Sequence, residues 1–151
     1  MLEKGDRLKI ILVDDDPDDR MLFEEAFSEL RIESALFLFQ NGLELLNHLY
    51  SAETAVPDLI FLDLNMPIMG GMETLENIKR SERYAKVPIA IYSTSSHERD
   101  IEDTLARGAN IYITKPADYN KLKKTLDEVL KIQWQYSTSH LKLENFVMVI
   151  E

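Results

Sequence analysis

Five short apolar runs recur along the chain, each bounded by polar or turn-forming positions: Leu8–Val13, Ser34–Phe39, Leu59–Leu62, the stretch beginning at Pro88, and Ile111–Ile113. Uninterrupted apolar runs of this length suit strands buried on both faces, as in a parallel sheet. Between them the apolar residues space out to a helical period. After Pro17-Asp18-Asp19, whose acids suit the positive end of a helix dipole, Met21, Leu22, Ala26, Phe27 and Leu30 recur at that spacing. Asn41-Gly42 opens a second helix carrying Leu43, Leu45, Leu46 and Leu49. Gly70-Gly71 precede a third near Met72–Ser81, a fourth spans His97–Arg107 and is ended by Gly108, and a fifth covers Asp118–Ile132. Five β-α units joined by short connections predict an α/β fold, a parallel sheet covered by helices on both faces.

That alternation stops after Ile132. Gln133–Glu151 holds the single tryptophan, Trp134, a polar stretch YSTSH and an apolar end, FVMVI. Phe146–Ile150 is expected to form an extra strand or a docked extended segment on its own domain, with a contact to another chain, such as a homodimer, as the alternative. Residues 1–132 are accordingly expected to form one domain and 133–151 an extension, too short for a separate output domain.

Composition narrows the class of partner. The 151 residues carry 27 acids against 17 bases, a net charge of -10. No basic surplus exists to release phosphate counterions, so a nucleic acid is not the expected partner. The absence of cysteine excludes disulfides and thiolate metal sites and fits a reducing compartment. No apolar run approaches the roughly 18 residues that cross a bilayer, and MLEKGDRLK lacks a hydrophobic signal core. A cytoplasmic protein away from membranes is expected.

The chemistry lies where the strands end. The first closes on Asp14-Asp15-Asp16, the third on Asp63, the fourth on Ser93-Thr94-Ser95 and the fifth on Lys115-Pro116. Ligands of open parallel sheets bind outside the carboxyl ends of the strands. Carboxylates gathered there disfavour mutual ionisation unless a proton or cation intervenes. A hard divalent ion with oxygen ligands, Mg²⁺, answers that need, and it takes only one or two direct carboxylates. Asp14, Asp15 and Asp63 fit the count, with the Asn65 carbonyl as a further candidate. Lys115 can pair with an acid or neutralise a phosphate oxygen, and Ser93 offers a hydroxyl. Together these groups suit phosphoryl transfer, in which a carboxylate can itself be the nucleophile. Asp63 is the candidate, alone on a middle strand between the acidic cluster and Lys115.

VDDDP, DLNMPIMGG, a hydroxyl after PIAIY, and TKP, in this order over about residues 8–132, resemble the response-regulator receiver domain of two-component signalling, CheY-like in the broad sense. The resemblance implies a flavodoxin-like (βα)5 doubly wound sheet with strand order 2-1-3-4-5. It also implies roles. Asp63 is the phosphoacceptor; Asp15 holds Mg²⁺ directly and Asp14 through water, with Asn65 lending its carbonyl. Ser93 is the switch hydroxyl, Lys115 its partner, and Tyr112 the aromatic that changes rotamer with it. Asn65 and Ser95 match positions that tune phosphoryl lifetime, and both are small and polar, so a short-lived phosphoryl group is expected. The family also has a cis Lys115-Pro116 bond. Ser93 replaces the commoner threonine, and a one-residue shift of register would exchange it with Thr94.

Other features read more plainly. Asp16 and Asp18 suit helix-start chemistry. His48, His97 and His140 share no metal-ligand spacing, Met66, Met69 and Met72 suit packing of the loop, and Gly70-Gly71 a tight turn into the helix.

The expected function is a stand-alone response regulator, fed by a histidine kinase or histidine phosphotransfer protein and read by a downstream protein or relaying the phosphoryl group. It is not expected to be an enzyme beyond assisting its own phosphorylation and dephosphorylation. The alternative is an aspartyl-phosphate phosphohydrolase of the haloacid-dehalogenase type. Asp14-Asp15-Asp16 offers that family's D-x-D, but Asp18 stands at its Thr/Val position and there is no room for a cap domain.

Overall fold

The structure is a computed structural model and describes residues 7–51, 54–139 and 148–150. The elements follow in strict alternation: β1 (Leu8–Val13), α1 (Pro17–Ser28), β2 (Ser34–Phe39), α2 (Gly42–Tyr50), β3 (Leu59–Leu62), α3 (Gly71–Arg80), β4 (Ile89–Ser93), α4 (Glu98–Ala106), β5 (Ile111–Thr114), α5 (Tyr119–Ser139) and β6 (Met148–Ile150). One sheet holds them in the order β2-β1-β3-β4-β5-β6, every neighbour parallel. This is the flavodoxin-like arrangement, with order 2-1-3-4-5 extended by a sixth strand.

Alternation along each strand splits the core into two layers. Ile10, Leu12, Phe61, Tyr92 and Ile113 pack on one face with Phe23 of α1 and Leu126 of α5. Ile11, Val13, Ile60, Leu62, Ile91 and Tyr112 pack on the other with Leu45 of α2 and Leu75 of α3. β3 and β4 are buried at every position, whereas the edge strand β2 is only half-buried. Truncating a core residue such as Leu62 to alanine costs about 2–5 kcal/mol by the usual transfer and cavity losses. Their burial on both faces therefore fixes where the strand-end residues emerge.

One expectation about the C-terminal region changes. The fifth helix, expected to end at Ile132, runs on to Ser139, since no glycine or proline interrupts QWQYSTS. The apolar end does add a strand. Met148–Ile150 pairs with β5, Val149 opposite Tyr112, and Met148 and Ile150 pack against the core under α1 and α5. Phe146 and Val147, like His140, lie outside the described residues. The Lys115-Pro116 bond also differs from the implied cis form. No peptide bond among the described residues is cis, and trans is the isomer an X-Pro bond favours by about 0.5–1 kcal/mol.

Candidate functional site

Strand register decides which acids meet. Val13 lies opposite Leu62, so β1 and β3 end level and deliver Asp14 and Asp63 side by side; the Asp63 N–H donates to the Val13 carbonyl at 3.0 Å. Gly71 lets the next helix close over this edge. Its N–H donates to Leu64 at 2.9 Å, and a Cβ there would stand 2.1 Å from the Asp63 carbonyl oxygen. Ser93 of β4 lies opposite Thr114 of β5, and the Lys115 N–H donates to the Ser93 carbonyl at 2.7 Å. Ser93 is buried and Thr94 exposed.

The three aspartates at the end of β1 divide their work. Asp14 is fully buried, and its Oδ1 accepts from the Asp16 N–H at 3.0 Å. Asp15 is exposed. Asp16 caps α1, its carboxylate accepting from the N–H groups of Asp18 and Asp19. Oxygens of Asp14, Asp15 and Asp63 all lie within 4.8 Å of one another, a spacing that could hold a metal ion. The other Asp14 oxygen, Oδ2, is buried as well. Its charge partner is the Lys115 ammonium, 2.8 Å away. Three carboxylates gathered at one point fit a hard cation.

Lys115 Nζ sits among three acids, 2.8 Å from Asp14, 2.9 Å from Asp19 and 3.4 Å from Asp63, and 5.3 Å from the centre of the Tyr92 ring. Burial alone would lower the lysine's pKa, but Asp14, Asp19 and Asp63 overcome it and raise the pKa above the ordinary value. Asp63 is 6% exposed. Burial pushes its carboxyl up to about 6, against the pull of Lys115 and with the help of Asp14's charge, while the Asn65 N–H bonds the carboxylate and draws it down. The site thus holds a carboxylate that ionises more readily once a further positive charge arrives.

Ser93, Ser95 and Tyr112 form an adjoining cluster. The Ser93 hydroxyl accepts from the Ser95 N–H at 3.1 Å, and the buried Tyr112 donates its hydroxyl to the Ser95 carbonyl at 2.8 Å. The Lys115–Ser93 backbone bond joins this cluster to the acids. Asn65 is exposed, on a loop where Ile68 adopts φ 68°. That left-handed conformation is unfavourable for a β-branched residue; Ile68 is 77% exposed.

Sequence reasoning brought Asp14, Asp15, Asp63 and Lys115 to one point, where the structure also has them. It missed Asp19, read only as a helix-start acid, and Tyr92, read only as part of a strand. Asp19 reaches the site from the first turn of α1.

Comparison with known proteins gives one consistent answer. The profile of the response regulator receiver domain matches residues 10–127. A probable methanogenesis regulatory protein of Methanothrix harundinacea is 32% identical over 132 residues, 85% of this chain and 85% of that protein. The phosphorylated cyanobacterial phytochrome response regulator RcpA has a crystal structure that matches with TM-score 0.77 and 30% identity, over 89% of this chain and 96% of that one. The Mn(2+)-bound form of response regulator Rcp1 matches with TM-score 0.76 and 28% identity, over 85% and 95% of the two chains.

Proposed function

This chain belongs to the response regulator receiver domain family of two-component signalling, and from that premise we propose that Asp63 is its phosphoacceptor and Mg²⁺ its cofactor. The observation that carries the reading is the meeting of the Asp14, Asp15 and Asp63 carboxylates with the Lys115 ammonium at the carboxyl edge of the sheet.

Asp14, Asp15 and Asp63, with the Asn65 carbonyl, would hold the cation, which neutralises charge on the phosphoryl oxygens and favours ionised Asp63. A Mn(2+)-bound form of a related regulator supports a divalent ion here. The Asp63 carboxylate attacks the phosphorus of a phosphohistidine on a kinase or phosphotransfer protein. A P–O bond forms, the P–N bond breaks, and its electron pair leaves on the imidazole nitrogen, which takes up a proton. Lys115 neutralises a phosphoryl oxygen and Ser93 donates to another. Asn65 and Ser95 leave room for the water that later hydrolyses the acyl phosphate. Tyr112 follows Ser93, and a downstream protein reads the shifted population. Nothing favours the phosphohydrolase alternative, whose second acid, Asp16, is occupied as the α1 cap.

Beryllofluoride, a phosphoryl mimic, tests the reading. Asp63→Asn should abolish both the amide shifts it induces and phosphorylation, while Asp18→Asn should abolish neither. Phosphorylation persisting in Asp63→Asn would show that the acceptor lies elsewhere.

A further inference from the structure

Ser95 makes more of its polar atoms than a lifetime-tuning position requires. Its N–H donates to the Ser93 hydroxyl at 3.1 Å and its carbonyl accepts from the Tyr112 hydroxyl at 2.8 Å. Its own hydroxyl donates to Asp100 Oδ2 at 2.6 Å and accepts from the His97 N–H at 3.2 Å. Ser93, Tyr112 and the first turn of α4 therefore meet on one residue. Asp100 lies in the first turn of α4, one turn before the fully buried Thr104. A hydroxyl-to-carboxylate bond of this length belongs to the stronger, charge-assisted class.

We propose that Asp100 is a positioning residue of the switch: by holding the Ser95 hydroxyl, it ties the loop that carries Ser93 to α4, so that a phosphoryl group on Asp63 moves that helix. The proposal rests on the phosphoacceptor reading above. If Ser93 turns to a phosphoryl oxygen, the Ser95 N–H loses its acceptor and the loop must adjust. With Asp100 attached, α4 adjusts with it. Without Asp100 the loop moves alone. Simple helix capping, with Ser95 bridging the His97 N–H and the Asp100 carboxylate, would stabilise α4 but leave its response to phosphorylation unchanged.

Two measurements on the full chain separate these cases. In amide spectra with and without beryllofluoride, wild type should show shifts both around Asp63 and along α4. Asp100→Ala should keep the Asp63-side shifts and lose those of α4, and Asp100→Asn, which retains an acceptor oxygen, should recover them at least in part. Loss of phosphoryl label should change by a few-fold, in the same direction, in Asp100→Ala and Ser95→Ala. The double variant should add nothing further, because contacting residues couple. A full α4 response in Asp100→Ala, or rate effects that multiply, overturns the role of Asp100 alone. No beryllofluoride response in wild type overturns the phosphoacceptor reading and this proposal together.

Discussion

The ammonium of Lys115 lies 2.9 Å from Asp19 Oδ2, closer than the 3.4 Å that separates it from Asp63 Oδ2. A helix-start acid thus competes with the phosphoacceptor candidate for Lys115. Asp19→Asn should release the ammonium towards Asp14 and Asp63 and remove a nearby negative charge. Both changes lower the Asp63 pKa, by up to about one unit from its raised value. Carboxyl-carbon NMR titration with divalent ions chelated measures this directly; an unchanged or higher Asp63 pKa would contradict the competition.

Far from the site, His48 offers a pH dependence with a definite sign. Its Nε2 lies 3.1 Å from Lys9 Nζ, and its ring packs against Phe39 with centroids 4.9 Å apart. Burial first, and the charge of Lys9 second, lower its pKa below 6.5. The unfolded chain then takes the proton first. Stability from this group is present above the unfolded value of 6.5 and is lost as pH falls through it towards the lower folded value. His48→Phe keeps a ring and removes the titration. Urea unfolding at about pH 7.5 and pH 5.5 should show a smaller loss in His48→Phe than in wild type. Asp58, whose pKa burial raises, acts in the opposite sense and is common to both proteins.

Ile68 carries strain that a substitution can relieve. Its φ of 68° suits asparagine or glycine better than a β-branched side chain. Its exposed side chain gives up little packing when replaced. Ile68→Asn should stabilise the chain by about 1 kcal/mol, read as a higher urea midpoint with an unchanged slope.

Gly71 should behave in the opposite way. A Cβ there would meet the Asp63 carbonyl oxygen at 2.1 Å and the Leu64 Cα at 2.7 Å, both backbone atoms that cannot swing aside. Gly71→Ala should cost about 2 kcal/mol or more and disturb the Asp63 amide. At Gly70 the nearest atom is 3.4 Å away, so Gly70→Ala in the same unfolding series should cost under about 1 kcal/mol.

These residues also show what could be read from the sequence. Runs such as Leu59–Leu62 announced buried parallel strands, and their last residues named Asp63 and Lys115, because in this fold the strand end and the site coincide. Asp19 was hidden because it sits on a helix: its meeting with Lys115 depends on how α1 crosses the sheet, which periodicity does not encode. The Ser95–Asp100 bond was hidden for a similar reason, as it depends on the path of the β4–α4 loop. α5 ran past Ile132 because QWQYSTS loses the apolar period without containing a residue that breaks a helix. Loss of amphipathic pattern is not a stop signal. β6 was foreseen as one of two choices, since a short apolar segment can pair or simply dock.

The most direct measurement is mass mapping of the chain after exposure to acetyl phosphate, with Mg²⁺ or with chelator. One phosphoryl group should appear, on the peptide containing Asp63, only with the divalent ion, and Asp15→Asn should require a higher ion concentration to reach the same yield. Label on another residue, label independent of the cation, or label surviving Asp63→Asn would contradict the assignment of the site.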